Sequence, residues 1–449
     1  MRALLIATYE MGRQPFGLAS PAAWLRNAGV EVTCVDLARE RLRDDSVTQA
    51  QLVAFFLPMH MATRLAVPVI RKIRSLNPSA HLCGYGLYAM LNESLLRDLG
   101  AHSVLGAEFE SDLEALAIAL REGAPPPQPI ADTALPHLAF KVPDRRGLPP
   151  PTSYATLHDS TGSTRCVGYT EASRGCRHTC RHCPIVPVYK GRFRVVPINI
   201  VLADIGNQVE MGVRHITFGD PDFFNGPVHA IEVVQRLADT YPDLTYDVTI
   251  KVEHLLAHAK YLATLRDTGC AFVTSAVESF DNHVLEILNK GHTSQDIARA
   301  VASCRTAGLV LTPTFVAFTP WTTLESYCAY LQAIASLDLV DAVAPIQLAI
   351  RLLLPEGSSL LTHKEVAEVV GEFDKNMLSY SWCHADPRVD ALQAEVIALV
   401  GQHGTASRRA IFEEIWTLAH ERAALHCPLL ARNIQARVAI PYLNEPWYC

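Results

Sequence analysis

The sequence predicts an α/β protein: an N-terminal doubly wound parallel sheet, a partial (β/α)6 barrel and a helical C-terminal extension. Three observations predict this fold class. Apolar runs alternate with helical patterns over residues 1–122, the same alternation returns over residues 161–350, and two proline clusters lie between these regions. Residues 123–160 therefore form a proline-rich linker, and residues 351–449 form the extension.

The composition is that of a globular protein with two or three domains. Of the 449 residues, 49% are hydrophobic and 19% are charged, which is sufficient for sizeable cores. The net charge of -7 argues against a nucleic-acid partner, because phosphate backbones are bound by basic surfaces. Apolar runs are too short for a membrane span and the first residues do not form a signal peptide, which predicts a cytoplasmic protein without a membrane partner. The 12 cysteines then favour reduced thiols and metal ligation over disulfides.

The N-terminal region contains five apolar segments that predict strands. They lie at residues 3–8, 30–35, 52–57, 81–84 and 103–105, with helical patterns between them, including residues 21–28 and 63–76. Ligands of such sheets bind at the carboxyl ends of the strands. The loop after the first strand and the Gly84-Tyr85-Gly86 turn are therefore candidate ligand contacts, although a plain tight turn also explains the two glycines.

A second series of βα units starts near residue 167. Its predicted strands are residues 167–173, 215–219, 245–251, 270–277, 310–318 and 342–350. Its predicted helices are residues 198–211, 227–239, 255–268, 282–288, 294–307 and 324–337. Six strands fit an open half-barrel better than a closed eightfold barrel.

Three cysteines follow the first strand of this second series. Cys176, Cys180 and Cys183 form a C-x3-C-x2-C pattern among arginines, an environment that favours thiolates. Three thiolates could hold a [4Fe-4S] cluster whose fourth iron keeps an open position for a substrate or cofactor. Two alternatives remain: a zinc site that includes His178 or His182, and buried cysteines without metal.

This cysteine motif resembles that of the radical S-adenosylmethionine (SAM) superfamily. The resemblance implies that the open iron binds the amino and carboxylate groups of SAM, and that one electron cleaves a carbon–sulfur bond of SAM. It also implies a partial (β/α)6 radical SAM barrel, with a reductase, flavodoxin or ferredoxin as the electron donor.

The resemblance assigns cofactor-binding roles to residues at the carboxyl ends of the strands. Gly219 and Asp220 occupy the segment that meets the SAM amino group, and Glu278 lies in a segment similar to G-x-E-S. His182 stands where the family usually has an aromatic residue near the adenine. A helix N-cap is the alternative role for Asp220 or Asp222, and Lys251 is either a partner of the SAM carboxylate or a surface lysine.

The first domain resembles the cobalamin-binding domain that precedes the radical SAM core in a large subgroup. That subgroup carries D-x-H-x-x-G after the first strand, whereas residues 9–16 here, YEMGRQPF, contain no histidine. The resemblance therefore implies cobalamin bound without a lower histidine ligand. The alternative is a vestigial or partner-binding domain.

The extension is predicted to contain helices at residues 364–373, 390–401 and 410–426. The loop with Trp382, Cys383 and His384 either closes over the barrel mouth or packs in the core. The chain ends on Cys449, and its whole length resembles a radical SAM family whose tail continues as Cys-selenocysteine or Cys-Cys followed by Ala-Glu-Pro. The resemblance predicts that the native chain continues past Cys449; a chance cysteine at an ordinary terminus is the alternative.

Two enzymatic functions and one non-enzymatic function follow. The first, implied by the resemblance to a related radical SAM enzyme with a cysteine-rich tail, is transfer of the 3-amino-3-carboxypropyl group of SAM to trivalent arsenic held by Cys449 and its neighbour; soft sulfur and selenium ligands suit such a substrate. The second is cobalamin-dependent radical methylation of a small metabolite or peptide. The third is a non-catalytic binding module in which the cysteines hold a zinc staple.

Overall fold

The computed structural model describes residues 1–126, 138–158, 162–402, 407–430 and 440–443. Within these ranges, α-helices and β-strands alternate along most of the chain, as the predicted α/β fold class requires. Parts of the predicted linker and Cys449 lie outside the described residues.

The N-terminal domain is built on a parallel sheet of five strands in the order β2-β1-β3-β4-β5. The strands are β1 (Arg2–Ala7), β2 (Glu31–Asp36), β3 (Leu52–Phe56), β4 (His81–Tyr85) and β5 (Ser103–Leu105). All five predicted strands are present; β1, β3 and β4 are short apolar runs that the sheet buries, whereas the edge strand β2 is buried only in its second half.

Helices cover both faces of this sheet. They are α1 (Phe16–Asn27), α2 (Asp44–Thr48), α3 (His60–Leu76), α4 (Leu87–Leu91), α5 (Glu93–Asp98) and α6 (Glu110–Glu122). Leu18 of α1 and Leu113 of α6 pack on one face, whereas Ile70 and Ile73 of α3 pack on the other. The doubly wound arrangement is therefore confirmed.

The second domain is a curled half-barrel. Its strands are β6 (Thr156–His158), β7 (Thr164–Thr170), β8 (Ser173–Gly175), β9 (Phe193–Val195), β10 (His215–Phe218), β11 (Thr245–Thr249), β12 (Cys270–Glu278) and β13 (Leu311–Phe315). Strands β7, β10, β11, β12 and β13 run parallel, in that order. β8 and β9 form a separate antiparallel pair beside the cysteines.

Helices alternate with the strands of the half-barrel. They are α7 (Ile185–Tyr189), α8 (Ile198–Glu210), α9 (Pro227–Thr240), α10 (Val252–Ala257), α11 (Leu262–Asp267), α12 (Asn282–Ile287), α13 (Ser294–Thr306) and α14 (Leu324–Ser336). Ile205 of α8, Leu237 of α9 and Ile297 of α13 belong to the same core as Val248 and Val273 of the strands. The half-barrel predicted from the sequence is confirmed in this form.

The sixth strand predicted at residues 342–350 is absent, and this expectation was wrong. Pro345 begins a short 3-10 helix, because proline cannot donate the backbone hydrogen bond that a strand needs. The strand position is reduced to one bridge between Phe318 and Arg351. The Gln347 side chain takes over part of the pairing, since its Oε1 accepts from the backbone N–H of Phe315 at 2.8 Å.

The C-terminal extension is less helical than predicted. It contains α15 (Lys364–Ala367), β14 (Val370–Asp374), β15 (Ser379–Trp382), α16 (Pro387–Gln402), α17 (Arg408–Arg422) and β16 (Tyr442–Leu443). The predicted helix at 364–373 ends after one turn, and its second half pairs with β15 as an antiparallel hairpin. β16 extends the half-barrel sheet by pairing antiparallel with β6.

A membrane-spanning helix was not expected, and among the described residues no helix has both the length and the apolar character needed for one.

Candidate functional site

A cavity of about 490 Å³ lies between the two domains. From the N-terminal domain it is lined by loops that follow β1, β3 and β4, including Glu10, Pro58 and Gly86. From the half-barrel it is lined by Gly219 and Asp220, which follow β10. The carboxyl ends of both sheets thus face one cavity, whose volume is within the range of about 300–1,000 Å³ that is usual for ligand sites.

The two glycines that the sequence singled out have different surroundings. Gly86 lines the cavity with φ of 104°, a conformation that favours glycine, and an added Cβ would lie 3.1 Å from the carbonyl oxygen of Leu57. A Cβ on Gly84 would instead lie 2.8 Å from Leu96, in the domain core. Gly86 therefore allows close approach to the cavity, whereas Gly84 serves packing.

The cysteine loop, residues 176–183, lies between β8 and α7. Cys176 and Cys180 are buried, and Cys183 is half-buried. The loop is anchored at both ends: Asn225 Nδ2 donates to the carbonyl of Gly175 at 3.3 Å, and the N–H of Arg181 donates to the carbonyl of Leu288 at 2.9 Å. Its cysteines are thus held in place by hydrogen bonds to neighbouring elements.

The spacing of the three thiols argues against a single zinc ion. Among the described residues, these cysteines belong to no set of three possible ligand atoms within 4.8 Å of one another. Tetrahedral zinc, with Zn–S bonds of about 2.3 Å, would place its sulfur ligands about 3.8 Å apart. An iron–sulfur cube binds each thiolate through a different iron atom and so accommodates wider spacing.

The thiols are still close enough to interact. Burial, together with the nearby Cys180 and Cys176, raises the pKa of Cys183 to about 12. Burial likewise raises the pKa of Cys176. A cationic metal centre would offset this cost of ionisation, since thiolates bind metals in deprotonated form.

Two buried lysines lie beside the cysteine loop. Lys251 is only 6% exposed, and its Nζ lies 3.5 Å from Cys180 Sγ and 2.6 Å from Glu253 Oε2. Lys251 is therefore not a surface lysine. Lys290, which the sequence analysis missed, is 2% exposed, and Glu278, Cys180 and Cys183 raise its pKa against the effect of burial. The loop thus contacts positive charges that could receive an anionic group.

Glu278 ends β12 in an unusual conformation. Its φ is 71°, and the pairing with β13 shifts register at this residue. The side chain accepts from His182 Nε2 at 3.1 Å and from Lys290 Nζ at 3.3 Å. Burial raises the pKa of Glu278, but Lys290 and His182 outweigh that effect and hold it at about 2. A strained, buried and ionised carboxylate is typical of a functional site.

Asp220 and Asp222 have separate roles in the loop after β10. Asp220 accepts from the N–H of Ala172 at 2.9 Å and from Ser173 Oγ at 2.5 Å, so it anchors the segment that leads to the cysteines. Burial raises its pKa to about 7. Asp222 Oδ1 accepts from the N–H of Phe224 and caps the short helix there. The N-cap alternative therefore applies to Asp222 and not to Asp220.

Gly219 is required by its neighbour Tyr169. An added Cβ would lie 1.8 Å from the Tyr169 hydroxyl oxygen, closer than any non-bonded contact permits. Both residues line the cavity, so the missing side chain lets the tyrosine ring form part of its wall.

A buried ion-pair network joins the two domains next to the cavity. Arg174 donates to both carboxylate oxygens of Glu110, at 2.7 and 2.9 Å, and to Glu171 at 2.7 Å. Arg174 is 7% exposed and Glu110 is 1% exposed. The first turn of α6 is thereby fixed to β8, immediately before the cysteine loop.

The structure shows where two of the segments predicted in the C-terminal extension lie. Trp382 is buried against Leu354 and Leu360, and its Nε1 donates to the carbonyl of Leu352, so this loop packs in the core. Cys383 is exposed. Tyr442 and Leu443 line the cavity, whereas Cys449 lies outside the described residues and its role stays a prediction.

Comparison with known proteins identifies the half-barrel. Residues 170–322 match the family described as the radical SAM superfamily. An uncharacterised methyltransferase of Pyrococcus horikoshii is 25% identical over 173 residues, which are 38% of this chain and 37% of that protein. The chain thus matches well under half of the length of this curated relative.

Solved structures share the arrangement of both domains. The radical SAM methyltransferase TsrM from Kitasatospora setae, with cobalamin and a [4Fe-4S] cluster bound, has a TM-score of 0.61 at 19% identity over 75% of this chain and 70% of TsrM. The cobalamin-dependent radical SAM enzyme OxsB, with aqua-cobalamin bound, has a TM-score of 0.68 at 14% identity over 94% of this chain and 71% of OxsB. At these identities the likeness shows the fold.

Proposed function

Because the domain at residues 170–322 belongs to the radical SAM superfamily, a family of enzymes, we propose that this chain is a cobalamin-dependent radical SAM methyltransferase of a small-molecule substrate. The observation that carries the proposal is the cavity of about 490 Å³ onto which the carboxyl ends of both sheets open. A methyl donor held by one domain and a radical source held by the other can reach a common substrate there.

In this proposal Cys176, Cys180 and Cys183 hold a [4Fe-4S] cluster. The motif supplies three thiolates, one fewer than the four irons of a cube, which leaves the fourth iron open to SAM. The reduced cluster, when bound, supplies the electron that cleaves a carbon–sulfur bond of SAM. The protein contributes the anchored loop and a dry environment, because Cys176 and Cys180 are buried.

The residues around the loop are suited to hold SAM. Glu278 is ionised at neutral pH and lies at the end of β12, where it can accept hydrogen bonds from the SAM ribose or amino group. His182 shares its carboxylate and fixes its direction. Gly219 and Asp220 shape the edge of the cavity, and Lys251 provides a cation for the SAM carboxylate. We propose these SAM-binding roles together with the radical SAM function.

The cavity is compatible with cobalamin bound without a histidine ligand. The loop after β1 presents Glu10, Met11 and Arg13 to the cavity instead of a histidine. Burial raises the pKa of Glu10 well above its ordinary value, which disfavours a negative charge on this residue. The bound cofactor would supply the methyl group, and the chain supplies the walls that orient it.

The test uses protein that is purified without oxygen and reconstituted with iron, sulfide and hydroxocobalamin. We expect about four irons per chain, retained cobalamin absorption after gel filtration, and consumption of SAM with dithionite to give 5'-deoxyadenosine and S-adenosylhomocysteine. Dithionite replaces the flavodoxin, ferredoxin or reductase that we propose as donor. A Cys176→Ala, Cys180→Ala, Cys183→Ala variant is the control and should lose the iron and SAM cleavage but keep cobalamin. Protein that binds zinc and no iron would contradict the proposal.

Transfer of the 3-amino-3-carboxypropyl group to trivalent arsenic is a second candidate. It is favoured by Tyr442 and Leu443, which line the cavity. Cys449 could then present arsenite to the radical. The same incubation with arsenite separates the candidates: methylthioadenosine indicates aminocarboxypropyl transfer, whereas S-adenosylhomocysteine indicates methyl transfer.

A further inference from the structure

Two histidines and an aspartate converge beside the cysteine loop. His178 Nε2 lies 3.2 Å from His254 Nε2 and 3.6 Å from Asp222 Oδ2. His254 Nδ1 lies 2.6 Å from the same Asp222 oxygen. The proposed function assigns no role to these three side chains, which we call the His-Asp-His cluster.

The cluster is formed by three separate elements. His178 belongs to the cysteine loop, Asp222 follows β10, and His254 belongs to α10. Asp222 is fully buried and His254 is 7% exposed. Each of the three residues offers one ligand atom, and these atoms lie within 4.8 Å of one another. Residues distant in sequence thus point their nitrogen and oxygen atoms into one small buried space.

Hydrogen bonding does not account for the closest contact. One shared proton explains the 3.2 Å contact between His178 and His254. In contrast, His254 Nδ1 and Asp222 Oδ2 lie 2.6 Å apart without the geometry of a hydrogen bond, and neither atom has another hydrogen-bond partner. Buried polar atoms without a partner are rare, because each costs about 1–3 kcal/mol.

A metal ion would satisfy all three side chains. Zinc binds histidine nitrogen and carboxylate oxygen at about 2.0–2.2 Å, which places tetrahedral ligands about 3.3 Å apart. His178 Nε2 lies 3.2 Å from His254 Nε2 and 3.6 Å from Asp222 Oδ2, which bracket that value, so the ligand set uses His254 Nε2, and His254 Nδ1 stays in its 2.6 Å contact with the carboxylate. Glu253 Oε2 lies 3.4 Å from His178 Nδ1, the carboxylate–histidine arrangement that orients metal-binding histidines.

We propose that His178, Asp222 and His254 form a second metal site, which binds one divalent transition-metal ion such as Zn²⁺ through two imidazole nitrogens and one carboxylate oxygen. The site is distinct from the three cysteines and does not depend on which group the enzyme transfers. It ties the cysteine loop to β10 and α10, and its remaining coordination positions stay open to water or a substrate oxygen.

The test uses holoenzyme with its iron–sulfur cluster reconstituted. Zn²⁺ is added, excess is removed by gel filtration, and zinc, iron and sulfide are measured per chain, with zinc K-edge X-ray absorption on the same sample. We expect one zinc per chain with unchanged iron, and a zinc shell of nitrogen and oxygen at about 2.0–2.1 Å. A sulfur shell at about 2.3 Å would place the zinc on the cysteines and overturn the proposal.

Variants locate the ion. His254→Gln and Asp222→Asn should each lower zinc retention at least tenfold while iron content and far-UV circular dichroism are kept. His283→Gln is the matched control, because His283 pairs with Glu365 at 3.1 Å in an exposed histidine–carboxylate contact. Equal zinc retention by His254→Gln and His283→Gln would overturn the proposal, as would a wild-type holoenzyme that retains no zinc; the contact with Asp222 would then be a histidine–aspartate ion pair.

Discussion

Glu278 combines a strained backbone conformation with a buried, negatively charged side chain. Its replacement by glutamine would keep the side-chain volume but leave the Lys290 ammonium, which is 2% exposed, without a negative partner. We expect Glu278→Gln to lower the free energy of unfolding by about 3–5 kcal/mol, measured by urea denaturation. Glu232→Gln is the control, since Glu232 pairs with Arg236 on the surface and its loss should cost under about 0.5 kcal/mol.

The same carboxylate predicts a pH dependence. Burial raises the pKa of Glu278, but Lys290 and His182 hold it at about 2, below the ordinary value of 4.5. The unfolded chain therefore takes up the proton first as the pH falls, and the stabilisation is present above 4.5 and lost towards 2. The difference in unfolding free energy between wild type and Glu278→Gln should be constant from about pH 6 to 8 and shrink below about pH 4.5. A difference that grows on acidification would contradict this pKa.

Gly219 gives a steric prediction. A methyl group there would collide with the Tyr169 hydroxyl at 1.8 Å, so Gly219→Ala should destabilise the protein by about 1–3 kcal/mol in thermal unfolding. In a Tyr169→Ala background the loss caused by Gly219→Ala should be smaller, because that change removes the hydroxyl oxygen and the ring carbons that would lie 1.8, 2.1 and 2.6 Å from the methyl group. Gly401→Ala is the control: it has no neighbour within 4 Å, lies in α16 and should stabilise by up to about 1 kcal/mol. An equal loss from Gly219→Ala in the wild-type and Tyr169→Ala backgrounds would mean that the strain lies elsewhere.

The cysteine loop is held by the end of a helix. Arg181 Nη1 donates to the carbonyls of Glu286 and Ile287 at the end of α12, at 3.0 and 2.8 Å. Loss of these charge-assisted bonds, about 1.5 kcal/mol, should let the loop open about tenfold more often. We therefore expect Arg181→Ala to lose iron to a chelator about tenfold faster than wild type, followed by the cluster absorbance.

A matched variant separates this effect from general destabilisation. Arg266 Nη1 also donates to a helix-end carbonyl, that of Ala307, at 3.0 Å. Arg266→Ala should therefore leave the rate of iron loss unchanged. Similar rates in both variants would show that the loop does not depend on its anchor to α12.

The elements differ in how far the sequence determines them. The five strands of the N-terminal sheet and the first five predicted strands of the half-barrel could be predicted, because the apolar pattern of each segment itself indicates a strand. The expected sixth strand failed at Pro345, and the expected helix at 364–373 failed because β15 offers its second half a strand partner. The second prediction failed because the pairing of β14 with β15 is a tertiary contact, and the local sequence pattern of residues 364–373 does not predict it.

The site shows the same limit. The cysteines, Gly219, Asp220 and Glu278 stand at strand ends or in a dense motif, so their positions could be predicted. Lys290 lies in the turn after α12 and His254 lies in α10, and only the fold brings Lys290 to Glu278 and His254 to Asp222. In the sequence, Lys290 stands directly before a glycine that follows a short helix. Its burial marks it as a site residue, and burial of a lysine cannot be predicted from the sequence alone.

The molecule as a whole depends on the joint between its domains, since the cavity exists only while they stay together. Arg174→Ala would strand the carboxylate of Glu110, which is 1% exposed, at a cost of about 3–5 kcal/mol. We expect calorimetry to show one unfolding transition for wild type and two for Arg174→Ala, with weaker cobalamin retention. Arg97→Ala, which breaks the exposed pair with Glu93, should keep one transition. A single transition that only moves to lower temperature in Arg174→Ala would mean that packing, and not this ion pair, couples the domains.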